Sequence, residues 1–311
     1  MRRVAGRLAA ALLATGTVAS SATGACRFST AAELRLPPVP GPLVVPASID
    51  GGPVRLVLDS GAERSVLSGD AVARLGLKLD AWTATSVRGI GGLTRHRDAQ
   101  VGELLLGTIG LSRPLGPVRS LPVVPTLPGV RIDGLLGADL MSGFDIEVAG
   151  GGLRVALHRA AGCDAATIGE ALPWAEAVLP SEAVRPGLFV VPVTVAGRTL
   201  RALVDTGSEI TVLDDRAATA LGIRSTVPAP AGTAQGVGPA SVTLRLADAG
   251  TLTVATRDGG GLALGAGPLW VGRLPATGFD LLVGMDRLRA LHLWLSHATR
   301  AVFLARLSHT R

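Results

Sequence analysis

The sequence predicts an all-β protein built of two homologous lobes with a few short helices. Three observations predict it. One stretch returns 146 residues later, a set of landmarks keeps step across that repeat, and short apolar runs broken by turn residues replace long charged helices. Val54–Leu58 leads into Asp59-Ser60-Gly61-Ala62-Glu63-Arg64-Ser65-Val66-Leu67, and Leu203-Val204 leads into Asp205-Thr206-Gly207-Ser208-Glu209-Ile210-Thr211-Val212-Leu213. Upstream, Pro46 and Pro192 each stand 13 residues before their Asp; downstream, Gly76 and Gly222 each stand 17 residues after it. Gly-rich turns begin at Gly89 and Gly236, 30 and 31 residues beyond the two Asp, and Gly137 and Gly284 follow at 78 and 79. Short motifs recur by chance, but spacings held to within one residue mark an internal duplication.

The 311 residues leave room for two lobes that each close a core. Taken in order, residues 1–25 read as an export signal. Arg2, Arg3 and Arg7 precede an apolar stretch from Leu8 to Ala19, too short to span a bilayer, and small residues run on to Ala25. Cys26 directly afterwards raises lipid anchoring, which Thr23-Gly24-Ala25 disfavours for want of a branched aliphatic residue. Residues 26–42 form a Pro-rich lead-in, since the prolines at 37, 38, 40 and 42 forbid helix and remove ladder donors. The first lobe spans 43–159, a connector 160–187, the second lobe 188–307 and a tail 308–311. Period-two alternation marks strands at Ser241–Leu246 and Thr251–Val254. Helices are expected at Ser68–Leu75, Asp214–Leu221 and Met285–Leu293, each starting beside a Ser or Asp that can cap it. Asp258–Gly261 and Gly265–Gly267 read as hairpin turns. They lack the Lys-[Ser/Thr] ending of a phosphate loop and the spacing of a dinucleotide site.

Several function classes are poorly supplied. The net charge of +6 invites an anionic partner, but the arginines are scattered singly along the chain. With no Tyr, five Phe and four Trp, stacking platforms for nucleic acid are scarce. The five His show no metal-ligand spacing and no Gly-x-Ser-x-Gly elbow occurs, so no metal or cofactor is expected. Cys26 and Cys163, the only cysteines, can pair in an oxidising compartment or remain two thiols.

The repeated acids carry the chemistry. A peptide bond can be hydrolysed by a water that one carboxylate deprotonates while a second, neutral carboxyl protonates the carbonyl oxygen. Two carboxylates about 3 Å apart at an effective dielectric near 20 repel by roughly 5 kcal/mol, so a pair brought together holds one proton over a range of acidic pH. Its pKa values then belong to the pair. Gly61 and Gly207 allow a sharp turn that points each carboxylate outward, and the hydroxyls of Ser60 and Thr206 can bond across to the partner loop. Asp139 and Asp286 read as helix caps or loop braces.

These motifs resemble the catalytic loops of the retropepsin family, the retroviral-type aspartic peptidases, with both halves fused in one chain as in pepsin-like enzymes. Leu135-Leu136-Gly137-Ala138-Asp139 and Leu282-Val283-Gly284-Met285-Asp286 resemble the family's later segment, which threads behind the catalytic loop. Gly89-Ile90-Gly91-Gly92 is similar to a retroviral flap tip, and Gly236-Val237-Gly238 to its counterpart. The resemblance implies two β-barrel lobes with the site in the cleft between them. It makes Asp59 and Asp205 catalytic, Ser60, Gly61, Thr206 and Gly207 their support, and Ala62, Glu63, Ser208, Glu209 and the flap residues contacts for an extended peptide. The chain has no flap tyrosine, which favours the retroviral over the pepsin type. Pro239 makes the second flap stiffer or non-covering. Ala62 where the other half has Ser208 withdraws one hydrogen bond from the carboxylates, which moves the pH optimum towards neutral. An exported, monomeric endopeptidase follows, with a protein or peptide as substrate, no nucleic acid and no membrane span. The competing reading is a non-catalytic module that binds extended peptides or a partner protein.

Overall fold

In the computed structural model the described residues are 26–113, 116–124, 132–224, 232–274 and 278–307. The expected export signal and the tail at 308–311 lie outside them.

Each lobe is organised round one sheet, and the two sheets have the same strand order. In the first lobe the order is Val123–Val124, Val66–Ser68, Gly134–Leu136, Gly52–Leu58, Val44–Ile49, Leu104–Leu106, Ile109–Gly110. The second runs Pro268–Gly272, Val212–Asp214, Leu281–Val283, Arg198–Val204, Val190–Val195, Leu252–Ala255, Gly261–Gly265. Val242–Asp248 and Gly232–Ala234 extend it beyond Pro268–Gly272. The duplication therefore reaches the register. Leu135 lies parallel to Val57 as Leu282 does to Leu203, and each of these strands is also antiparallel to the strand after the Asp loop. Gly52–Leu58 shows why the chain settles this way. Val54 and Leu56 alternate inward against Pro53 and Arg55, and then Val57 and Leu58 are both buried as the strand enters the lobe. Arg198–Val204 repeats the pattern and ends in buried Ala202, Leu203 and Val204. Ser68 and Asp214 cap Gly69–Leu75 and Asp215–Ala220, accepting from Ala71 N at 3.1 Å and Arg216 N at 3.0 Å.

A third sheet joins the lobes. Its order is Arg27–Arg35, Arg154–Ala161, Asp145–Ala149, Leu291–Ser296, Ala301–Arg306, Ala177–Pro180. The seam lies between Asp145–Ala149 and Leu291–Ser296, where Ile146 faces Leu295 and Val148 faces Leu293. Glu147 at the seam takes Arg154 Nη2 at 2.8 Å, His292 Nε2 at 2.7 Å and His158 Nε2 at 3.1 Å. Burial alone would push this carboxyl up, but the two imidazole hydrogen bonds and the Arg154 charge outweigh it and hold it at about 2. His158 stacks on Trp294 and His292 on Trp174. Cys26 and Cys163 form a disulfide beside this sheet.

The structure departs from the sequence reading in four places. Arg27–Arg35 is an edge strand of the joining sheet, so only the segment after it runs as a lead-in. The connector contains a helix, Ala165–Ala171, capped by Asp164, and a strand, Ala177–Pro180. The third helix stops at Leu288. Leu-His-Leu-Trp-Leu-Ser from 291 alternates with period two, and both neighbouring strands accept it. Asp258–Gly261 does turn a hairpin, but Gly265–Gly267 is a crossover, because the strands on either side of it do not pair and lie far apart in the sheet.

Candidate active site

Asp59 and Asp205 each end a central lobe strand. The backbone N–H of Asp59 donates to Leu136 O at 2.9 Å, and that of Asp205 to Val283 O at 3.0 Å. Both loops are pinned from behind in the same way. Ser65 Oγ accepts from Gly137 N at 2.9 Å and donates to Asp139 Oδ1 at 2.7 Å; Thr211 Oγ1 accepts from Gly284 N at 3.1 Å and donates to Asp286 Oδ1 at 2.6 Å. Asp139 and Asp286 are thus loop braces. The helix N-caps are Gly137 and Gly284, with no side-chain cap.

The two loops meet across the lobe boundary. Ser60 N donates to Thr206 Oγ1 at 3.1 Å and Thr206 N to Ser60 Oγ at 3.0 Å. Each hydroxyl in turn donates to the carbonyl before the opposite Asp, Ser60 Oγ to Val204 O at 2.8 Å and Thr206 Oγ1 to Leu58 O at 2.5 Å. Ser60 and Thr206 are buried, so this exchange is shielded from water. It sets each carboxyl against the glycine of the opposite loop, near enough for the charge of Asp205 to act on Asp59. A Cβ on Gly61 would run into the Asp205 carboxyl, and one on Gly207 into that of Asp59. Glycine is required at both positions by that approach.

Burial raises both acids. Asp59 is pushed up first by desolvation, then by the charge of Asp205, against the opposing N–H of Gly61; Asp205 is pushed up by desolvation against the N–H groups of Gly207 and Ser208. Asp205 Oδ1 accepts from Gly207 N at 2.8 Å and Ser208 N at 3.1 Å, whereas Asp59 Oδ1 has Gly61 N at 2.9 Å and a weaker contribution from Ala62 N. Asp205 thus has the fuller set of backbone donors, while the proton between the acids belongs to the pair. The hydroxyl of Ser208 takes no part, because it donates to Ile210 O at 2.8 Å. The expected asymmetry between Ala62 and Ser208 therefore does not arise from a hydroxyl.

The Gly-rich turns face each other. Gly91 N donates to Val237 O at 3.0 Å and Ala240 N to Gly91 O at 2.9 Å. The backbones of Gly91 and Gly238 approach so closely that a side chain on either would overlap the other turn. Val237 is buried among Val66, Val87, Val124 and Leu135, all of the first lobe and two of them on strands that frame the Asp59 loop. Ile90 packs on Gly236 and stays partly exposed. The second turn therefore crosses the cleft; Pro239 does not hold it off.

Glu63 and Glu209 occupy equivalent positions but differ in setting. Both are exposed, but Arg185 of the connector lies 3.6 Å from Glu63. Arg185 was not legible as a site residue, nor was His297. The latter comes from the turn after Leu291–Ser296 and lines a space of about 10 Å³ behind Asp59 with Ser60 and Met141. Burial, and then Arg300, push its imidazole down to about 4.

A family model described as aspartyl protease matches the chain twice, at residues 45–140 and 191–286. Among solved structures, an aspartic proteinase from Irpex lacteus is similar in fold at a TM-score of 0.54 and 15% identity, over 92% of this chain and 98% of that one. No curated protein matches. One match in each lobe, each running from the outer strand of the hairpin that leads into an Asp loop through the acid that braces that loop, accounts for both halves of the repeat: the chain belongs to the aspartyl protease family, in its two-lobed, retropepsin-like form.

Proposed function

We propose that this chain is an exported endopeptidase that hydrolyses peptide bonds with a water activated by Asp59 and Asp205. The observation that carries the proposal is the pair of carboxyls drawn together across the lobe boundary, each against the glycine of the opposite loop, and locked by the Ser60–Thr206 exchange. A water between the acids gives a proton to the Asp205 carboxylate as its oxygen attacks the scissile carbonyl carbon. The proton on Asp59 passes to the carbonyl oxygen, leaving a neutral tetrahedral diol. On collapse the C–N bond breaks, the nitrogen takes the proton from Asp205 and a diol hydroxyl returns one to Asp59, so the pair ends as it began. Substrate lies extended between the lobes under Gly89-Ile90-Gly91 and Gly236-Val237-Gly238, with the loop residues Ala62, Glu63, Ser208 and Glu209 beside it. A module that only binds peptides has no need for two buried acids sharing a proton, since burying them costs stability.

Export is supported by the signal-like residues 1–25 and by the Cys26–Cys163 disulfide. Among the described residues no helix is long and apolar enough to cross a membrane. The test is digestion of a peptide library by the parent and by Asp59→Asn. Internal cleavage by the parent that disappears in the variant is expected. A parent that binds library peptides and cuts none would favour the binding module.

A further inference from the structure

The arginines that look scattered along the sequence come together on one flap. In the hairpin of Leu79–Gly89 and Gly92–Gln100, Arg88 pairs with Leu93, Ser86 with Arg95 and Ala84 with Arg97. Cross-strand partners share a face, so Arg88, Leu93, Arg95 and Arg97 project from the same side. The opposite side carries Val87 and Asp98, both buried, and so faces the lobe. Arg88, Arg95 and Arg97 are exposed, and among the described residues none has a carboxylate partner.

The same hairpin exposes large apolar side chains. Trp82 is 95% exposed, Leu93 53% and Leu79 48%. Trp82 stands in the irregular stretch between Leu79 and Ala84, where Asp80 Oδ1 accepts from Trp82 N and Thr83 N, each at 2.8 Å. That tight turn occupies the Asp80 carboxylate with backbone donors and leaves the indole in solvent. An indole is stabilised where one side is apolar and the other wet, and arginines beside it meet anionic headgroups while their stems cover apolar surface. A nucleic acid would ask for several stacking rings along a groove, and this face has one.

We propose that the outer face of the first flap docks on an anionic lipid surface, with Trp82 and Leu93 entering the interface and Arg88, Arg95 and Arg97 lying against phosphate headgroups. Docking of this kind is peripheral and needs no spanning segment. It does not depend on catalysis, so its failure would leave the peptidase reading untouched.

The test is co-sedimentation of the purified full chain with vesicles of phosphatidylcholine alone or mixed equally with phosphatidylglycerol. Binding to the mixed vesicles and not to the neutral ones is expected. Arg95→Ala with Arg97→Ala should weaken it by about 25-fold, at about fivefold per cation near the surface, and salt should erase that difference. Trp82→Ala should weaken it by a factor that persists in salt. All these side chains are exposed, and far-ultraviolet circular dichroism checks the fold. Equal sedimentation with both vesicles, no sedimentation with either, or variants that bind as the parent does would overturn the proposal. So would a soluble polyanion such as heparin holding the chain as tightly as the mixed vesicles do.

Discussion

At the scale of single residues, what makes Asp59 and Asp205 unusual is supplied by their neighbours. Gly61 and Gly207 surrender the space for the opposite carboxyl, and Ser60 and Thr206 hold the two loops together from below. Hydroxyls were legible as locks because each motif carries one straight after its Asp. The role of Ser208 was not legible, since a sequence shows a hydroxyl but not the carbonyl that captures it. From Ser208 Oγ donating to Ile210 O, we predict that a hydroxyl added by Ala62→Ser turns to the carbonyl of Arg64 and leaves the pH profile of kcat/KM in place. A profile displaced by the new hydroxyl would show that it reaches the acids. A second prediction concerns stability. The pair's folded pKa values lie above those of free carboxyls, so its contribution is fully present at low pH and is lost as pH rises through the folded values. Asp59→Asn removes the repulsion. Its melting temperature should therefore gain on the parent as pH goes from 3 to 7, and a gain that shrank instead would contradict the sharing of one proton.

At the scale of elements, the duplicated strands and their loops were readable from spacing, because a lobe core fixes which residues alternate inward. The two helices capped by Ser68 and Asp214 were readable from cap chemistry. Met285–Leu293 departs from its cap-like start, because the period-two pattern from Leu291 makes a strand after a single helical turn. The flaps were recognised by glycine content alone, and only the structure brings their tips into contact. That contact makes a sharp prediction at Gly91, where a Cβ would meet Ala240 O and Gly238. Gly91→Ala should keep the melting temperature of the parent while kcat/KM falls on the order of tenfold to a hundredfold, the range expected when a positioning element is displaced. Thermal melts beside kinetics on one peptide check it. Full activity in the variant would mean that closure of the tips is dispensable.

At the scale of the whole molecule, the sheet joining the lobes was the part least visible in the sequence. Its strands come from the lead-in, the end of the first lobe, the connector and the end of the second lobe, and no local pattern links them. Glu147 sits at its seam with Arg154, His158 and His292. Its folded pKa of about 2 lies below the ordinary 4.5, so the stability it adds is present above about pH 4.5 and is lost as pH falls through 2. The shift corresponds to up to about 3 kcal/mol at neutral pH. Glu147→Gln should lower the urea midpoint at pH 6, and the difference should close as pH approaches 2. A deficit constant with pH would assign the loss to packing instead of charge.

Between the lobes lies the claim on which the functional account rests, that two acids from the two halves act as one catalytic unit. The most direct measurement is kcat/KM on a single cleaved peptide from pH 3 to 8 for the parent, Asp59→Asn and Asp205→Asn. The account predicts activity that falls at both ends of the profile for the parent, and a loss of about a thousandfold or more in each variant at every pH. A profile with one limb only, or either variant cutting at a substantial fraction of the parental rate, would contradict it.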